Sequence, residues 1–303
     1  MFVPKSKSFI SLLVSCAILL PMQTFAGVSD IATKTAQYAQ STYQVQMVES
    51  LRQLMKFNTV AVEGLASPEN AEHQKFKAEL AKQAKHLGLD YIDYGYVVVI
   101  GLGDSKQRVG MITHGDIQPF NPSKWAQSPL ILDQTSQPGK LIGRGTEDDK
   151  GPISNALYAM KSIKDSKVKL NKRIELYVYM AEESDWEPLR QHIKLHSLPQ
   201  VNITLDSEYP VVTAEKGYGT ISMTFPTTTE ISSPLSNKTF ISEFTGGFFG
   251  SQIPEDANVI IENANQKLLA EIKQRAKSHL GMRYNYQWQD KRLSITALGK
   301  SAH

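Results

Sequence analysis

Apolar residues along this 303-residue chain recur with two periods, and the period changes mark the expected elements. Val45, Val48, Leu51, Leu54 and Met55 follow helical spacing from Ser41 to about Lys56. A second helix is expected after "SPEN", with Ser67 as N-cap and Pro68 in the first turn. It would carry Phe76, Leu80, Ala84 and Leu87 on one face and stop at Gly88. "YVVVIGLG" (96–103) and "RVGMITHGD" (108–116) read as strands, and "GPISNALYAMKSIK" (151–164) as a helix beside a glycine. "RIELYVYMAEE" (173–183) is a strand, "EPLRQHIKLHS" (187–197) a helix and "VNITLDSE" (201–208) a strand. Helices alternating with nearly continuous apolar strands predict an α/β domain with a largely buried sheet.

The texture changes after "EKGYG" (215–219). "TISMTFPTTTEISS" alternates like a strand with one exposed face, "TGGFFG" is a glycine-rich turn, and 255–280 reads as helical. A domain boundary is expected near residue 216, with a catalytic domain over 27–215 and an α+β domain over 216–303. No internal repeat or low-complexity segment interrupts this plan.

The first 26 residues stand apart. "MFVPKSK" is a basic start, "FISLLVSCAILL" an apolar stretch too short to span a bilayer, and "TFA" a small-residue exit. This is the pattern of a signal peptide cleaved after Ala26, which places the mature chain in the periplasm or outside the cell. "LVSC" leaves a lipoprotein at Cys16 as a lesser alternative. Cys16 is the only cysteine, so the mature chain has neither a disulfide framework nor a thiolate metal site. Without the leader, 31 basic residues face 30 acidic ones and no basic run tracks phosphates, which argues against a nucleic-acid partner. No second segment suits a membrane span.

Chemistry gathers at four chain positions. "MITHGDIQP" sets His114 and Asp116 at a strand's carboxyl end, and "GRGTEDDKGP" sets Asp148 and Asp149 in a glycine-flanked loop before a helix. "YVYMAEESDWEP" and "TLDSEYP" set Glu182, Glu183 and Asp206 at two further strand ends. In open α/β sheets, ligands collect outside the carboxyl ends of the strands. Each short motif alone fits a solvated turn or a helix start; together, in this order, they converge on one crevice. Clustered carboxylates are costly when ionised and dry, and a bound dication removes the conflict. A donor set of imidazole and carboxylate without thiolate suits zinc, with manganese or cobalt as substitutes. Asp116, two residues beyond His114, is placed to orient that imidazole.

These motifs resemble the dinuclear zinc peptidase family that includes dipeptidase V, carnosinases, carboxypeptidase G and succinyl-diaminopimelate desuccinylases. "HGDIQP", "GRGTEDDKGP", "EESDW" and "LDSEYPVVTAEKG" are most similar to the dipeptidase V-like subgroup, and the likeness runs from about residue 45 to the last. The resemblance implies a zinc-exopeptidase-like catalytic domain, with a mixed sheet flanked by helices, and an incomplete lid domain. It implies hydrolysis of dipeptides or short peptides at a site for two zinc ions. His114 and Asp206 would hold the first ion, Glu183 the second, and Asp148 would bridge them. Glu182 would be the general base, Asp116 would orient His114, and His303 of "GKSAH" would hydrogen-bond the developing oxyanion.

Two departures from the family pattern stand out. The family's late histidine ligand of the second metal has no counterpart here, and an expected substrate-holding Asn near Ser251 is absent. His192 and His196, four apart on a helix, read as partly exposed surface residues. A deacylase or desuccinylase on the same scaffold, or a non-catalytic remnant, are the competing readings. The oligomeric state is left open.

Overall fold

A computed structural model describes residues 29–208, 211–214, 217, 221, 223–224, 237–247, 254 and 256–299. The leader, the proposed boundary at 216, Ser251 and His303 lie outside the described residues, as does most of 220–233.

The first half is a mixed five-stranded sheet with helices on its faces. Helices α1 (Asp30–Met55) and α2 (Ala71–Leu87) precede strands β1 (Asp90–Asp93), β2 (Val97–Leu102) and β3 (Arg108–His114). Helix α3 (Lys150–Asp165), strand β4 (Arg173–Tyr179), helix α4 (Glu187–Leu195) and strand β5 (Asn202–Thr204) follow. The strand order is β1-β2-β4-β3-β5. β2 runs antiparallel to β1 and β4, while β3 runs parallel to β4 and β5. His114 pairs with Tyr179, so β3 and β4 end level and release their next residues at the same rim.

The unbroken apolar text of β2 has a plain cause. Successive side chains point to opposite faces, and both faces are covered. Val98 and Ile100 join Leu176, Val178 and Met180 in a core closed by Leu54, Phe76, Leu80, Ile153, Leu157 and Met160. Val97 and Val99 pack with Tyr177 and Tyr179 against Leu189 and Leu198 on the other side.

Several element boundaries differ from the sequence expectation. Helix α1 starts at Asp30, where the Ser29 side chain accepts from Ala32 N, well before the expected start at Ser41. Ser67 does not cap α2. Ser67–Glu69 form a short 3-10 turn, and the Asn70 side chain accepts from the Glu72 and His73 amides instead. The Ser67 hydroxyl is engaged by His73 Nδ1 at 2.8 Å. Gly88 ends α2 as expected, in the left-handed conformation at φ 65° that a side chain would disfavour. The strand expected to reach residue 183 stops at Tyr179, and the chain turns as Asp185 N bonds Ala181 O at 2.9 Å.

The second half holds an antiparallel sheet in the order β6-β7-β9-β8, formed by Phe240–Gly246, Asp256–Glu262, Arg292–Leu298 and Arg283–Gln289 respectively. Residues 255–280, expected to be helical throughout, divide into strand β7 and helix α5 (Gln266–Ala276). The β-branched Val259, Ile260 and Ile261 favour the strand. Asn263 takes φ 52°, and Asn265 then caps α5 by accepting from Leu268 N. His192 is also a correction: it is buried, and only His196 is exposed.

Candidate metal centre

The level ends of β3 and β4 explain how distant residues meet. His114 is 1% exposed and Asp116 is fully buried, so neither can use bulk water as a partner. His114 Nδ1 lies 3.0 Å from the Asp116 carbonyl oxygen and 3.5 Å from its Oδ1. The Asp116 carboxylate also accepts from the backbone amides of Glu182 at 3.1 Å and Glu183 at 3.0 Å. One buried acid therefore fixes the imidazole and suspends the double-glutamate turn beside it.

The opposite ring nitrogen faces the other acids. His114 Nε2 lies 2.8 Å from Asp148 Oδ1 and 3.7 Å from Asp206 Oδ2. It is buried without a hydrogen-bond partner. Ligand atoms of His114, Glu182 and Glu183 lie within 4.8 Å of one another, as do those of His114, Asp149 and Asp206. Asp148, Glu182, Glu183 and Asp206 thus all approach His114.

Asp148 and Asp149, joined by a cis peptide bond, face different partners. Asp149 is buried, accepts from the Thr113 hydroxyl and from His114 N, and has no hydrogen-bond partner at Oδ1. Sequence reasoning assigned it no chemistry, because a second Asp in a glycine-flanked loop carries no signal of burial. Asp149 does not pair with Lys150, whose Nζ donates to Phe57 O at 2.8 Å and lies over the Phe76 ring. Gln118 was also unassigned, although it stands inside the "HGDIQP" motif; its Nε2 donates to Glu183 Oε2 at 3.0 Å.

The charges conflict. Burial, reinforced by the neighbouring acids Asp206, Asp116 and Asp148, pushes Glu182 up to about 7. Burial and Asp148 push Glu183 up to about 8. Burial also pushes Asp149 up to about 7. Burial alone would lower His114, yet Asp116 and Asp148 hold it up to about 12. Burial would raise Asp148, but the His114 beside it keeps it below the ordinary carboxylate range. One imidazolium cannot neutralise this many carboxylates. A divalent cation can, and an orphaned imidazole nitrogen amid carboxylate oxygens is a fitting donor set.

A cavity of about 590 Å³ is lined in part by Pro119, Ala181 and Ser184, chain neighbours of Gln118 and the glutamate pair, while none of the centre's own side chains lines it. It offers room for a small ligand.

Known proteins resemble this chain in sequence and fold. Residues 110–225 match the family model described as Peptidase family M20/M25/M40. The putative dipeptidase YtjP of Bacillus subtilis is 26% identical over 233 residues, 75% of this chain and 49% of that protein. The Beta-Ala-Xaa dipeptidase of Lactobacillus delbrueckii subsp. lactis is 26% identical over 226 residues, 73% of this chain and 46% of that protein. The chain thus spans about half the length of these relatives. Human carnosine dipeptidase 1 shares the fold at a TM-score of 0.50 and 21% identity, over 60% of this chain and 42% of that one. Residues 110–225, the segment similar to peptidase family M20/M25/M40, carry every described side chain of the candidate centre.

Proposed function

We propose that the chain takes part in metal-dependent hydrolysis of the peptide bond of dipeptides or short peptides. The observation that carries this reading is the suspension of Glu182 and Glu183 from buried Asp116, next to an imidazole whose Nε2 faces Asp148 and Asp206. His114 and Asp206 would hold one zinc ion, Glu183 a second, and Asp148 would touch both; manganese or cobalt could substitute. Bound there, the ions would lower the pKa of water and polarise the scissile carbonyl.

The protein's own groups supply the rest. Glu182, half-buried and pushed up to about 7, is suited both to take a proton from the attacking water and to return it to the departing amine near neutral pH. Asp116 keeps Glu182 in place through its backbone amide. His303 is proposed to hydrogen-bond the developing oxyanion. The names of the relatives favour a peptide over an N-acyl amino acid as substrate. The amino-terminal leader supports export to the periplasm or beyond, and no helix among the described residues is long and apolar enough to cross a membrane.

The test separates the two glutamates. Glu182→Ala is expected to retain bound metal, measured by inductively coupled plasma mass spectrometry, while turnover of β-alanyl-histidine or Leu-Leu falls by several orders of magnitude. Glu183→Ala is expected to lower metal stoichiometry. The reverse pattern would overturn the roles, and hydrolysis indifferent to a chelator would remove the metal from the reaction.

A further inference from the structure

A second cavity, of about 430 Å³, lies between the turn joining β1 to β2 and helix α4. Its wall includes Tyr94, Tyr96, His192 and His196, together with Asp185 and Glu187. Tyr94 packs on both imidazoles, with ring centroids 5.2 Å from His192 and 4.3 Å from His196, and the two imidazoles are 4.8 Å apart. Tyr94 is 42% exposed, unlike the buried Tyr177 and Tyr179 of strand β4.

We propose that this cavity binds an alkyl cation, a guanidinium or an ammonium on an aliphatic stem. Tyrosine faces carry negative potential and attract cations, and here Tyr94 and Tyr96 stand beside two carboxylates. No Lys or Arg lines the cavity. Burial and the nearby His196 hold His192 below the ordinary histidine range, so its ring is uncharged near neutral pH. Asp185 Oδ1 accepts from Glu187 N at 2.9 Å and Glu187 accepts from Gln191, while Arg190 stands 3.6 Å from Glu187 on a solvent-exposed side chain. These contacts orient the carboxylates, and Arg190, although it partners Glu187, does not itself line the cavity.

The two cavities share lining residues. Tyr96 and Asp185 also line the 590 Å³ cavity, and Asp185 follows Glu183 by two positions in the chain. The cation can therefore arrive as a basic side chain of a peptide or as a free amine. The site itself stands on its own geometry and does not require the metal reading to be right.

The experiment titrates the full chain with N-ethylguanidinium and with its neutral isostere N-ethylurea, by calorimetry and by the imidazole NMR signals of His192 and His196. The guanidinium is expected to bind and shift those signals, and the urea to bind at least tenfold more weakly. Tyr94→Leu should weaken guanidinium binding about three- to fivefold, the loss expected for one partly exposed cation–π contact. The pair Asp185→Asn and Glu187→Gln removes charge but keeps each acceptor, and should weaken binding by at least a similar factor; it carries the test if Tyr94→Leu fails to fold. Equal binding of the two ligands, or unchanged guanidinium affinity in the charge-removed variant, would overturn the proposal. A selective loss of Leu-Arg over Leu-Leu hydrolysis in these variants would assign the cation to a substrate side chain. Guanidinium binding with no such selectivity would assign it to a separate amine.

Discussion

Replacing Asp116 by Asn probes the junction on which the centre depends. The aspartate offers one oxygen to the Glu182 amide and the other to the Glu183 amide. An asparagine of the same shape has only one acceptor oxygen, and its amide nitrogen would confront a backbone N–H. Leaving one buried donor unsatisfied costs about 1–3 kcal/mol, and turning the surviving bond from charged to neutral removes about 1 kcal/mol more. The expected loss is therefore about 2–4 kcal/mol, which lowers the unfolding midpoint by roughly 5–15 °C for a domain of this size. His114 also loses the nearby charge 3.5 Å from Nδ1, and partners of this kind typically change metal affinity by about 10–100-fold. Urea unfolding of the chelated protein gives the first quantity, and zinc titration the second. An Asp116→Asn protein as stable as the parent, with equal zinc affinity, would refute the argument that one carboxylate holds both halves of the centre.

Other outcomes test the frame around it. A methyl group on Gly151 would collide with the Thr146 carbonyl, so Gly151→Ala should destabilise the protein by about 1–3 kcal/mol in urea unfolding. His73, buried between Ser67 and Thr59, is held by burial below its ordinary value of 6.5. As pH falls through 6.5, the unfolded chain takes up this proton before the folded one, so stability drops on the acid side and is unaffected above it. His73→Gln should flatten that part of the pH–stability curve. Gln118→Leu removes the donor to Glu183, and zinc binding should weaken several-fold in a calorimetric titration while the fold persists, as judged by circular dichroism.

Much of the first sheet was legible because local rules and burial agree there. The valine run of β2 is apolar on both faces since both are covered, and Gly88 ends α2 because only a left-handed residue fits. Residues 255–280 show the limit of that legibility. Charged and apolar residues at mixed spacing suited a helix as well as a strand, and pairing of Asp256–Glu262 with neighbours on both sides decided the matter. Local propensity carries no knowledge of a partner strand.

The candidate centre divides in the same way. The order of His114, Asp148, Glu182, Glu183 and Asp206 at strand and loop ends is written in the text, and so is the expectation that they meet. The sequence could not reveal that Asp116 reaches the backbone of Glu182 and Glu183, that Asp149 is buried against Thr113, or that Gln118 holds Glu183. Nor could it show that His192 is buried against Tyr94. Residue type and spacing determine which groups are available at the end of an element. Burial and hydrogen-bond partnership arise only when separate elements pack, because they depend on which side chains exclude water from which others.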